Sequence, residues 1–160
     1  MGRERRRAAT DAWAALLRVH ARVIPQLDQA MRSASGIPLY WYDVLLELAV
    51  APDRQLRMSE LGERVVLSRS RVSRIVDELV EAGLVSRQDD PDDRRSARAC
   101  LTAAGLDRFR HAAPRYVAEI EARFAAPLSD AELRAVAVAL GKVAQSEAPP
   151  ESPRRVPRQR

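Results

Sequence analysis

The residues of this chain best suited to chemistry on a charged partner fall in one run, Ser68-Arg69-Ser70-Arg71-Val72-Ser73-Arg74. Arginine offers a planar fork of donors that matches phosphate oxygens and base edges, and serine adds a short hydroxyl that both donates and accepts. From position 64 to 76 no acid interrupts Arg64, Arg69, Arg71 and Arg74, whereas Asp77, Glu78 and Glu81 follow directly. That order opposes the helix macrodipole, which favours acids early and bases late, so helix stability alone did not select it. A basic, hydroxyl-bearing helix N-terminus is what enters a DNA major groove end-on. On this reading Arg71 and Arg74, with Ser70 and Ser73, are the candidate base readers, Arg69 is a phosphate clamp, and Ser68 caps the helix. The bland alternatives are a solvated stripe and an Arg74 to Glu78 pair one turn on.

Other chemistries lack their residue patterns. The two His (His20, His111) and the single Cys100 are scattered without ligand spacing, so no metal is expected. There is no phosphate-cradling glycine loop and no nucleophile with a plausible base, so neither a cofactor nor catalysis is expected. A single Cys cannot form an internal disulfide, which fits a reducing cytoplasm, and an inert structural thiol is favoured over a redox switch in the wing strand. No stretch approaches eighteen uninterrupted apolar residues, and no signal-peptide core follows the basic start, so no membrane segment is expected. The formal net charge of +5 is misleading as a sign of nucleic-acid binding, because residues 8–146 net zero and the excess lies in the two ends. The local cluster of arginines is the informative feature.

The run needs elements to position it. Val72, Ile75, Val76, Leu79 and Val80 repeat at helical spacing behind the arginines, and Gly83 is placed to close that helix. A short helix over 59–65 and a tight turn at 66–68 precede it, which makes a helix-turn-helix. Residues 84–88 and 97–101 read as strands flanking a turn-rich, charged tip, a hairpin wing beside the reader helix. There Asp93 can orient a neighbouring guanidinium, and Arg94 and Arg95 are candidates for a narrow minor groove. Upstream, apolar residues from Trp13 to Met31 predict a long first helix over 8–32, bent at Pro25, and residues 39–50 predict a second. Downstream, Thr102 caps a helix carrying Leu106, Phe109 and Phe124, and Ser129 with Glu132 forms a capping box for a last helix. The division expected is a disordered basic arm at 1–7, a helical dimerisation region at 8–35 and 103–146, a winged helix-turn-helix at 36–102, and a disordered Pro/Arg tail at 147–160. The fold class is mainly α with a small β-hairpin wing.

With these elements in order, the chain resembles the MarR family of bacterial winged-helix transcriptional regulators. The resemblance rests on Tyr42-Asp43-Val44-Leu45-Leu46-Glu47-Leu48, on residues 58–65, 67–79 and 81–85, and on Asp90-Pro91-Asp92-Asp93-Arg94-Arg95 leading into Leu101-Thr102. It covers roughly residues 10–145 and is most specific over 58–102. It implies a homodimer joined through its first and last helices, with residues 68–74 in the major groove of double-stranded DNA and the Asp93/Arg95 pair bringing an arginine to the minor groove. It also implies a small aromatic or phenolic effector between the DNA-binding and dimer halves.

Pro38 and Arg57 stand where the family usually has Thr, and Trp41 where a polar residue is common. Trp13, His20, Tyr40, Trp41 and Tyr42 are the candidate pocket residues, although core and interface packing explains each of them singly. The function expected is a sequence-specific, non-catalytic regulator, a repressor, acting on a pseudopalindromic site. The alternative is a winged helix used as a protein-interaction module without sequence-specific DNA binding.

Overall fold

The computed structural model describes residues 2–65, 69–90 and 96–146, with the Arg69 side chain excepted. The predicted turn at 66–68, the wing tip with Asp93, Arg94 and Arg95, and the tail from 147 lie outside those residues. Contacts divide the chain into two units, 1–124 and 125–160.

The first unit opens with α1 (Arg3–Ser35), 33 residues long and so roughly 50 Å at 1.5 Å per residue. It starts within the arm that charge alone suggested would be disordered. Glu4 in the first turn and an Arg7–Asp11 pair one turn apart suit a helix, and no Pro or Gly interrupts the run. The helix continues through Pro25 and ends at Gly36, whose φ of 67° is left-handed and easy only for glycine.

Helix α2 (Leu39–Val50) begins at Pro38, which cannot cap it with a side chain. Asp28 of α1 compensates: the Leu39 N–H donates to Asp28 Oδ1 at 2.8 Å, while Arg32 Nε donates to Oδ2 at 2.8 Å. Burial pushes the Asp28 carboxyl up, but the Arg32 and Leu39 hydrogen bonds outweigh it and hold the group below its ordinary value.

Strand β1 (Gln55–Arg57) leads into α3 (Met58–Arg64) and then α4 (Arg69–Glu81). Gly83, at φ 72°, closes α4: its N–H donates to Val80 O and the Leu84 N–H to Leu79 O, both at 2.9 Å. Strands β2 (Val85–Asp89) and β3 (Ala97–Leu101) pair antiparallel from Val85 opposite Leu101 to Asp89 opposite Ala97. β1 adds to the other edge of β3, so the predicted hairpin is a three-stranded sheet in the order β1-β3-β2.

Helix α5 (Ala103–Ile120) is capped by Thr102, whose Oγ1 accepts from the Gly105 N–H at 2.9 Å. A widened turn, Glu121–Ala125, follows it. In the second unit, Ser129 and Glu132 form the predicted capping box at the start of α6 (Asp130–Ala144), none of whose residues is buried within the single chain.

The core of the first unit sits where α2, α3, α4 and the sheet meet. Val44, Leu45, Leu48, Leu61, Val72, Val76, Leu79 and Ala99 are almost wholly excluded from solvent. Each fully buried Leu or Val contributes roughly 1.5–3 kcal/mol. Tyr42 extends this core toward α5, with its ring 5.4 Å from Phe109 and 4.3 Å from Tyr116.

The backbone turn after α4 lies directly against the start of α5. Thr102 Oγ1 is 2.9 Å from Gly83 O and 3.0 Å from Leu84 O, and a Cβ on Gly105 would meet Leu84 O at 2.0 Å. The obstacle is backbone and cannot swing aside. Gly105→Ala should therefore destabilise the protein by roughly 1–3 kcal/mol in urea denaturation, toward the upper end of that range for overpacking. An unchanged midpoint would mean that α5 does not seat against this turn.

Candidate nucleic-acid interface

The buried face of α4 decides what its other face can do. With Val72, Ile75, Val76 and Leu79 turned inward, helical geometry places Ser70, Arg74 and Asp77 on the outward ridge, Arg71 and Glu78 on the flank toward α2, and Ser73 on the flank toward β2. Arg71 and Arg74 are exposed, and among the described residues neither guanidinium has a hydrogen bond or ion pair. Tyr40, Ser70, Arg71, Arg74, Ile75 and Glu78 line a polar crevice of about 440 Å³ along the α2 flank.

The acidic half of α4 does not simply face away from the basic half, since Asp77 stands on the same ridge as Arg74. Its carboxylate and that of Glu78 are each met by a donor from another element. Trp41 Nε1 of α2 donates to Glu78 Oε2 at 2.8 Å, and Arg87 Nη2 of β2 lies 2.8 Å from Asp77 Oδ1. Glu78 thus pairs with Trp41 and not with Arg74. Ser73, a candidate base reader, is engaged by the same Arg87.

A buried carboxylate organises the base of the wing. Asp90 is 1 % exposed, and Arg57 Nε reaches its Oδ2 at 2.5 Å while Arg98 Nη2 reaches its Oδ1 at 3.2 Å. A buried charge is tolerable only when paired in this way. The Asp90 N–H also donates to Ser96 O at 3.0 Å, joining the two ends of segment 91–95. Arg57, which stands where the family usually has Thr, is one of two cations among the described residues that pair with Asp90. Its own N–H donates to Glu60 Oε2 at 2.9 Å at the start of α3.

The five aromatic or imidazole candidates are not gathered into one pocket. Trp13 is 60 % exposed and His20 is exposed on α1, Tyr40 lines the polar crevice, and Tyr42 is in the core. Trp41 lines a different cleft of about 540 Å³, together with Ile37, Ala82, Leu84, Asp107, Arg108 and His111. The latter three residues, on α5, carried no sequence signal of a pocket. Cys100 is half-buried, and burial pushes its thiol up despite the opposing charge of Arg98, which disfavours the reactive thiolate. Among the described residues no group of three or more His, Cys, Asp or Glu could hold a metal ion, and no helix is long and apolar enough to cross a membrane.

The comparisons agree with this geometry. A family model described as MarR family matches residues 35–96. Sco3205 of Streptomyces coelicolor, a MarR family transcriptional regulator solved in complex with DNA, is 29% identical, with 90% of this chain and 91% of that one covered and a TM-score of 0.81. AbsC of the same organism, also a MarR family transcriptional regulator, is 30% identical over 85% of this chain and 91% of that one, with a TM-score of 0.77. The transcriptional repressor MprA of Escherichia coli is 31% identical over 84 residues, 52% of this chain and 48% of MprA. The chain spans less than half the length of the curated relatives it matches.

One group at the junction of α2 and α5 carries a pH dependence. Burial, and then Glu47 one turn on, push the Asp43 carboxyl up from 3.8 to about 6. The phenols of Tyr42 and Tyr116 face it, and burial raises both of them. Between those two values the folded state binds the proton that the unfolded chain has lost, so stability rises as pH falls from about 6 toward about 4, and the penalty is fully present above 6. Asp43→Asn should therefore be more stable than the parent in urea at pH 7.5, with the difference shrinking by pH 4.5. An equal difference at both values would show that Asp43 ionises normally.

Proposed function

Since this chain belongs to the MarR family of transcriptional regulators, we propose that it is a homodimeric, sequence-specific DNA-binding repressor that acts on a pseudopalindromic site. The observation that carries the reading is the pair of exposed guanidiniums, Arg71 and Arg74, on a helix whose neighbouring acids are already engaged by Trp41 and Arg87. Such a helix presents unspent donors to a groove without opposing its phosphates. Two reader helices from a dimer would meet successive major grooves about one turn, roughly 10 bp, apart. Arg94 and Arg95, oriented by Asp93, would reach the minor groove, with Ser68 and Arg69 at the entry of the reader helix. Repression follows from occupancy of a promoter, and the similarity to MprA supports that sign.

A dimer is supported by apolar surface that the single chain leaves bare. On α1, Trp13, Leu16, Leu17 and Ile24 share one face and are 37–60 % exposed, although Leu27 and Met31 further along are buried. On α6, Val138, Leu140 and Val143 are exposed. Patches of this kind mark association surfaces.

The cleft beside Trp41 suits an aromatic carboxylate or phenol, with an indole and Leu84 as walls and Arg108 and His111 as polar handles. An effector there would touch the residue that holds Glu78. The protein would act by binding, without catalysis.

A titration by fluorescence anisotropy against a duplex selected by the protein from random sequence tests the reading. Affinity should fall steeply with salt. Replacing Arg71 and Arg74 by Ala should cost on the order of a hundredfold on the selected duplex. Unchanged binding would remove α4 as the reader, and failure to select any sequence would favour the protein-interaction module. An aromatic carboxylate that enters the cleft should shift the same curve, and a panel without effect would remove the effector. Separately, Trp13→Glu with Leu17→Glu should halve the mass measured by light scattering, and a parent protein that is already monomeric would overturn the dimer.

A further inference from the structure

Arg87 lies on the wing strand β2 and is not among the residues singled out for DNA contact, yet its side chain turns back over the reader helix. A single nitrogen, Nη2, serves three acceptors on α4: the Ser73 carbonyl at 3.2 Å, Ser73 Oγ at 3.3 Å and Asp77 Oδ1 at 2.8 Å. Ser73 and Asp77 are one turn apart, so the guanidinium spans a full turn of the helix on the flank toward the sheet. On the opposite flank Trp41 Nε1 holds Glu78.

The apolar stripe fixes which side of α4 is buried, but a greasy contact is non-directional and tolerates small rotations. Hydrogen bonds from both flanks do not, and one of them falls on the helix backbone itself. As a stabilising pair Arg87–Asp77 is weak, because the side chains are 35 % and 63 % exposed and exposed pairs contribute little. Its placement matters more than its strength. Base readout requires Arg74 and Ser70 to meet base edges at hydrogen-bond distance, and a few degrees of roll about the helix axis moves a long side chain by about an ångström.

We propose that Arg87 is a positioning residue for sequence discrimination: it fixes the roll of the reader helix through Ser73 and Asp77. The carboxylate of Asp77 serves this contact, and Ser73 contributes to recognition through Arg87, without reading a base itself. This inference rests on the DNA-binding reading above.

The test compares Arg87→Gln and Asp77→Asn with the parent protein on the selected duplex and on a scrambled duplex, at several salt concentrations, with a thermal melt of each variant. Arg87→Gln should lose about tenfold in the ratio of selected to scrambled affinity, the size of one misread base pair. Its scrambled-duplex affinity and its melting temperature should stay close to those of the parent. Asp77→Asn should lose discrimination in the same direction, and the double variant should be no worse than Arg87→Gln alone. Equal loss on both duplexes, with the salt slope reduced by about one, would make Arg87 a phosphate contact and overturn the proposal. So would an unchanged ratio, or additive losses in the double variant. Absence of DNA binding by the parent protein would instead remove the reading on which the inference rests.

Discussion

The arrangement of this protein depends on one constraint, the burial of Val72, Ile75, Val76 and Leu79 against α2, α3 and the sheet. Four apolar side chains out of water contribute roughly 6–12 kcal/mol, which exceeds the roughly 0.3–1 kcal/mol that each misplaced charge along α4 costs against its dipole. The core can therefore hold a helix whose polar face is arranged for something other than its own stability. Once the stripe is seated, the outward positions follow from the helical repeat, and the remaining question is what meets them.

The answer differs between the two halves of the helix. At the basic end, Arg71 and Arg74 have no acidic partner among the described residues. At the acidic end, Asp77 and Glu78 are met by Arg87 and Trp41. A reader helix with bare carboxylates one turn behind its arginines would either repel a phosphate backbone or turn its own arginines inward through one-turn pairs. Taking those carboxylates up with donors from α2 and β2 avoids both outcomes. It also joins the helix to its neighbours with directional bonds.

What was legible in the sequence was local. The element order follows from periodicities within single segments, and Gly83, Thr102 and the Ser129/Glu132 box are signals confined to a few neighbouring positions. What was not legible joins residues far apart in the chain. Asp28 takes the place of a missing cap at Leu39, eleven residues on; Trp41 reaches Glu78 across 37 residues; Arg57 and Arg98 meet at Asp90. No spacing rule announces such contacts, because each depends on two elements having already packed. Departures from the family pattern at Pro38, Arg57 and Trp41 were visible, but their meaning was not. In the fold the first is offset by Asp28, and the other two supply partners for buried or half-buried acids. The N-terminal arm differs for a local reason: charge density argues for disorder, whereas the Arg and Glu of residues 3–7, running into Ala8 and Ala9, favour helix.

Helix α2 is the element that touches each of these parts. Tyr42 stacks on Phe109 and Tyr116 of α5, burial and then Glu47 raise Asp43, and Trp41 both lines the cleft and holds Glu78 of α4. The same helix thus packs against α5 through Tyr42 and meets α4 through Trp41. An indole carries this link better than the polar residue more common at its position. It presents a flat apolar face to the cleft and a single N–H donor to the helix, so displacing the ring by an ångström or so is enough to break a 2.8 Å hydrogen bond. The departure at position 41 therefore sets one side chain against both the cleft and α4.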